Sequence, residues 1–131
     1  MKYNLFIGRY QCPHKGHQAI FDSYLKNGQA VMIAIRDVKP DESNPFTAEQ
    51  VFELLSTIYG KNPLVKIIII PDIASVNYGR GVGYDVKEIE VTSNIANISA
   101  TDIRKQIKDG SELWKDNVDE SIHGLLCSLL V

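Results

Sequence analysis

Tyr3-Asn4-Leu5-Phe6-Ile7-Gly8-Arg9-Tyr10-Gln11-Cys12-Pro13-His14-Lys15-Gly16-His17 decides the reading of this chain. An apolar run, Tyr3–Gly8, gives way to a turn crowded with an arginine, a lysine and two histidines. A helix-like run, Lys15–Lys26, follows and stops at Asn27-Gly28, a common kind of helix end. The turn therefore joins a strand to a helix N-terminus. Such a terminus exposes unpaired N–H groups and partial positive charge, and so attracts anions. Cationic and polar side chains at the same turn suit a polyphosphate.

Working outward, Ala30–Arg36 is nearly all apolar, as expected of a strand covered on both faces. A polar loop, Asp37–Pro45, follows. Thr47-Ala48-Glu49-Gln50 fits a capping box, so a second helix is expected to start at Thr47. Val51, Leu54, Leu55 and Ile58 form its inner stripe and Gly60 its end. Val65–Ile70 is a third strand, closed by Pro71. Ile73–Gly83 reads as a glycine-rich loop, and Tyr84–Val91 as a strand at a sheet edge. Ser99 or Ala100 opens a third helix that ends near Asp109-Gly110. Val118–Leu130 reads as a last amphipathic helix with Ile122, Leu125, Leu126 and Leu129 inward. This alternation predicts an α/β domain over residues 1–131: a doubly wound, Rossmann-like parallel sheet of four to five strands with helices on both faces. Ligands of such sheets bind past the carboxyl ends of the strands, which is where Gly8-Arg9 falls.

The chain has 131 residues, of which 44% are hydrophobic, enough for a packed core. Its formal net charge of -2 argues against broad nucleic-acid binding, so phosphate recognition must come from a local cluster. No apolar run is long enough to span a membrane, and no signal-type leader is seen. Cys12 and Cys127 form no CxxC pair, and the three histidines have no tight metal spacing, so no structural metal site is expected. The expected setting is the reducing cytoplasm. The apolar tail Leu125–Val131 suits either the core or a homo-oligomer interface. Trp114, His123 and Cys127 read as packing residues.

The turn resembles the GxFxPxHxGH signature of the nucleotidyltransferase superfamily, and Ile98-Ser99-Ala100-Thr101-Asp102-Ile103-Arg104 resembles its ISxTxIR signature. Asn44-Pro45-Phe46-Thr47 is similar to the NPFTxxER segment of nicotinamide-mononucleotide adenylyltransferases, and Pro71-Asp72-Ile73 to their PDI segment. The resemblance covers roughly residues 1–115 and implies attack by an acceptor, such as the phosphate of nicotinamide mononucleotide, on the α-phosphorus of ATP or CTP. Pyrophosphate leaves, and Mg2+ assists, carried mainly by the phosphates. It further implies that His14, His17 and Arg104 are catalytic. Gly8, Arg9, Lys15, Gly16, Ser99 and Thr101 would bind the nucleotide. Such chemistry asks the protein to hold two polyanions in line and neutralise developing charge. On this view His17 serves the transition state, and His17→Ala is expected to leave stability nearly unchanged.

The chain departs from the family pattern at three places. Gln50-Val51 stands where the family has Glu-Arg, and Cys12 stands where the signature often has proline. Residues 73–83 replace a helix and strand that normally help to choose the second substrate. Tyr78 and Arg80 are candidates to bind the acceptor instead, by stacking and phosphate pairing. Gly79-Arg80-Gly81-Val82-Gly83 lacks the spacing and position of a dinucleotide fingerprint. Two further readings stand beside the adenylyltransferase: a cytidylyltransferase or phosphopantetheine-type adenylyltransferase, and a non-catalytic nucleotide-binding regulatory module.

Overall fold

A computed structural model of the chain describes residues 1–89 and 98–130. Three strands, β1 (Tyr3–Gly8), β2 (Ala30–Asp37) and β3 (Val65–Pro71), form a parallel sheet in the order β1-β2-β3. The crossovers are α1 (Lys15–Leu25) and α2 (Ala48–Tyr59). Then come α3 (Ala100–Lys108), two 3-10 turns (Leu113–Asn117 and Glu120–Ile122) and α4 (His123–Leu130). Among the described residues no helix is long and apolar enough to cross a membrane.

Register fixes which residues share a face. Phe6 pairs with Ile33, which pairs with Ile67, and the alternation carries Val31, Ile35 and Val65 to the same side. All six belong to one hydrophobic core with Phe21 of α1, Val51, Leu54 and Leu55 of α2, and Ile103 and Ile107 of α3. The other face carries Tyr3, Leu5 and Ile7 beside Met32 and Ala34, and Leu5 there is 55% exposed. The main core therefore lies against one face of the sheet, and on the other face Ala30 and Ala34 of β2 are buried as the apolar composition of that strand predicts, while Leu5 of β1 is not.

Local signals act as their chemistry requires. Thr47 caps α2: its Oγ1 accepts the Gln50 N–H at 3.1 Å, and Gln50 Oε1 accepts the Thr47 N–H at 2.9 Å. Gly28 follows α1 with φ +75°, a conformation that disfavours side chains. The tail differs from the single helix expected over 118–130, because two 3-10 turns precede α4. Asp119 shows why the chain turns there. Its Oδ1 accepts the Ser121 N–H at 2.9 Å, and its Oδ2 accepts Gln18 Nε2 of α1 at 2.9 Å. This local cap starts a new turn at Glu120 and docks the tail on α1. Ile122 and Leu126 are fully buried, and Leu125 and Leu129 are partly so. Trp114 is buried, with the His123 ring edge-on at 4.8 Å.

The expected strand over Tyr84–Val91 does not form over its described part. Tyr84–Ile89 is exposed and irregular, and residues 90 and 91 lie outside the described residues. A strand needs a paired edge as well as alternation. Here Gly83, Tyr84 and Asp85 face Lys2, Tyr3 and Asn4 of the β1 side across a cleft of about 490 Å³ instead of pairing with them.

Candidate functional site

The turn between β1 and α1 is built around two imidazoles. His14 is the N-cap of α1, and its Nδ1 accepts the Gly16 N–H at 3.0 Å. His17, one turn on, accepts the His14 N–H on its own Nδ1 at 3.1 Å. The two side chains form a reciprocal capping box in which histidines replace the usual serine and glutamate. The rings stack with centroids 3.8 Å apart, and Tyr10 meets His17 edge-on at 4.9 Å. Because each Nδ1 accepts a backbone N–H, each neutral ring carries its proton on Nε2. Burial pushes His14 down to about 4. Burial, then the neighbouring His14, push His17 down to about 3. Near neutral pH the turn thus holds two uncharged Nε2–H donors in fixed tautomers.

Arg9 brings the charge. Its Nε and Nη2 are buried and have no hydrogen-bond partner among the described residues. Buried polar groups are normally paired, and an unpaired guanidinium is costly. The guanidinium lies close enough to Asp72 to help hold that carboxylate below its usual range, although the main cause is hydrogen bonding from Arg36. Arg36 Nε and Nη2 both donate to Asp72 Oδ1, at 3.0 and 2.7 Å. Arg9, Arg36 and Asp72 therefore gather at the carboxyl edge of the sheet, where open α/β sheets bind ligands.

Gly8 is required by packing: a Cβ there would meet the Tyr10 ring at 3.0–3.1 Å. Tyr10 itself has φ +52°, rare outside glycine, which folds its ring back over the strand end. Gly16 is buried and supplies the N–H that fixes His14, while Lys15 is exposed at the first position of the helix.

The second signature comes to the same place. Ser99 caps α3, its Oγ accepting the Asp102 N–H at 3.4 Å. Thr101 is exposed at the first turn, its Oγ1 3.4 Å from Arg104 Nη2. Arg104 is buried, and its guanidinium donates to the carbonyls of Gln11 and of Ser43, the latter at 2.6 Å. It thus ties the start of α3 to the histidine turn. Its anchoring partners are backbone oxygens.

Tyr78 and Arg80 are not drawn in. Both are exposed and line a cleft of about 550 Å³ formed by residues 78–86 themselves. No hydrogen bond or ion pair joins either to the histidine turn among the described residues. The downstream residues Gly83–Asp85 run beside the start of β1, the end of the strand away from the turn.

Sequence reasoning missed Gln11 and Arg36. Gln11 is buried, and its amide makes two bonds to the Phe46 backbone, both at 2.9 Å. Its only sequence signal is a polar residue in the middle of the signature. Among the described residues no group of three or more histidines, cysteines or acidic residues is placed to hold a metal ion. The donors that converge on the turn suit an anion. No family model matches the chain, and no curated protein matches it either.

Proposed function

We propose that this chain is a nucleotidyltransferase: it transfers a nucleotidyl group, by preference adenylyl from ATP, to a phosphorylated acceptor such as nicotinamide mononucleotide. An acceptor oxygen attacks the α-phosphorus, the bond from that phosphorus to the bridging oxygen breaks, and pyrophosphate departs with the electron pair. The observation that carries this reading is the pairing, on the turn that follows β1, of two buried, unpartnered guanidinium nitrogens of Arg9 (Nε and Nη2) with two histidines locked as neutral Nε2–H donors. Donors held rigid before the ligand arrives are what charge stabilisation in a transition state requires. His14 and His17 donate to the phosphates flanking the scissile bond. Their neutrality keeps them donors without a strong charge that would trap the product. Ser99 and Thr101, at the start of α3, offer hydroxyls to the outer phosphates, and Gly8 and Gly16 shape the turn.

Mg2+ would enter on the triphosphate, since the turn offers donors for anions; when bound it would neutralise phosphate charge. The three parallel strands with their helical crossovers accord with a Rossmann-like sheet, the class for which four to five strands and helices on both faces are expected here. The free thiols of Cys12 and Cys127 accord with a cytoplasmic setting.

The test is pyrophosphate release from ATP and Mg2+ with and without nicotinamide mononucleotide, repeated with CTP. Acceptor-dependent release is expected. Silence across a full acceptor panel with both nucleotides removes the catalytic reading. One observation favours the second reading, a nucleotide-binding regulatory module: Arg104 is engaged with backbone carbonyls. That module binds ATP and releases no pyrophosphate.

A further inference from the structure

We infer that Gln11 and Arg104 form a clasp that sets the shape of the histidine turn, which makes both of them positioning residues for the anion bound there. The inference rests on the proposed nucleotide site and adds to it a device that the site's own donors do not contain.

Outside the strand ladder, no backbone–backbone hydrogen bond among the described residues involves residues 10–13. The turn that carries the histidines is therefore held by side chains. Gln11 does most of this. Its Oε1 accepts the Phe46 N–H and its Nε2 donates to the Phe46 carbonyl, both at 2.9 Å. One side chain thereby imitates the two-way bonding of a neighbouring strand. Its own carbonyl accepts Arg104 Nη1, while Arg104 Nη2 reaches the Ser43 carbonyl. Three segments far apart in sequence converge here: the histidine turn, the loop before α2, and the start of α3.

Both side chains are almost fully buried, at 8% and 7% exposure, so each lost partner leaves an unsatisfied group. The clasp holds Gln11 three residues before His14, and the aim of both Nε2–H donors depends on where that backbone lies. Misplacing such donors by about 1 Å costs heavily in a site that works by alignment.

Gln11→Glu tests this with a built-in switch. Ionised, the carboxylate accepts from Phe46 N–H and opposes the Phe46 carbonyl. Protonated, it donates to that carbonyl again and rebuilds the amide's pattern. The histidines do not interfere, because they stay neutral above about 4 and about 3. The other ionisable neighbours are Arg104 from α3, Tyr10 and Cys12 in the turn, and exposed Asp41 and Glu42 on the facing loop. Burial raises Tyr10 and pushes Cys12 up to about 12, outside the working range. Gln11→Met, of similar length and without either bond, is the control.

The measurement is Mg–ATP affinity by titration calorimetry at about pH 7.5 and about pH 5.5, bracketing a buried carboxyl raised above its ordinary value. Melting curves at each pH confirm folded protein. At the higher pH both variants are expected to bind roughly tenfold more weakly than wild type. At the lower pH, Gln11→Glu returns to within about threefold of wild type at that pH, and Gln11→Met does not. Wild-type affinity in both folded variants at both pH values overturns the inference. If Gln11→Glu does not fold at the higher pH, wild-type affinity in Gln11→Met is sufficient to overturn it. If neither variant folds, the pair is purely structural and the inference also falls. Absence of Mg–ATP binding in wild type is a different result: it removes the nucleotide site and the clasp's role with it.

Discussion

Acidification strips stability from the histidine turn before it touches the carboxylates. In the unfolded chain a histidine takes up a proton near pH 6.5, whereas folded His14 and His17 resist it until about 4 and about 3. Between those limits the unfolded state binds more protons, so stability rises with pH and falls on acidification. Each histidine then contributes up to about 1.4 kcal/mol per pH unit below its ordinary value. From about pH 6.5 to about pH 5 the pair withdraws at most on the order of 4 kcal/mol, and about 2 kcal/mol once solvent access and their mutual coupling are allowed for. Asp72 and Asp119 have depressed values, so their contributions are complete above the ordinary carboxylate range near 4 and are lost only in stronger acid. The assay is urea unfolding at half-unit pH steps, comparing wild type with a His14→Asn/His17→Gln double variant. Wild type is expected to lose about 2 kcal/mol over that window, and the double variant well under half as much. Equal pH slopes in the two proteins refute the picture of two buried, neutral rings.

Three further outcomes follow from the same geometry. His17→Ala removes the acceptor of the His14 N–H, so urea unfolding should show a loss of about 1 kcal/mol along with the loss of turnover. This replaces the expectation of unchanged stability, and an unaltered midpoint would restore it. Arg9→Met exchanges two unpartnered buried guanidinium nitrogens for an apolar chain: denaturation should show equal or higher stability, by up to about 1 kcal/mol, while calorimetry should show Mg–ATP binding weakened at least about tenfold. Gly8→Ala drives a methyl into the Tyr10 ring; a cost of about 1–2 kcal/mol is expected, and near-neutral stability would mean that the ring tilts freely.

The sequence was most readable where a signal is local. Thr47-Ala48-Glu49-Gln50 is a complete hydrogen-bonded cap within four residues, and the structure contains it as expected. The strand, turn and helix of residues 3–25 were equally plain, since apolar content and then capping chemistry change within a few positions. The reciprocal bonding of His14 and His17 follows the same N-cap spacing, but histidine is an unusual choice there. Arg104 was less readable. A guanidinium at that position can serve a ligand or a carbonyl, and its partners, Gln11 and Ser43, are brought near by two loops. Tyr84–Val91 has a strand's alternation, yet whether residues 84–89 pair depends on where the chain delivers them relative to β1. The tail was read as one helix because its apolar periodicity hides the local Asp119–Ser121 cap, and its docking by Gln18 is a contact 101 positions away in sequence.

Trp114 is the only tryptophan of the chain, buried in the tail with an imidazole edge-on at 4.8 Å. Its emission therefore watches one region alone. Release of the tail should shift that emission to longer wavelength as water reaches the indole. Adjustments confined to the histidine turn should leave it unchanged, while helical circular dichroism averages over all the helices. A probe already present in the chain thus separates peeling of the tail from collapse of the whole molecule, with no label added.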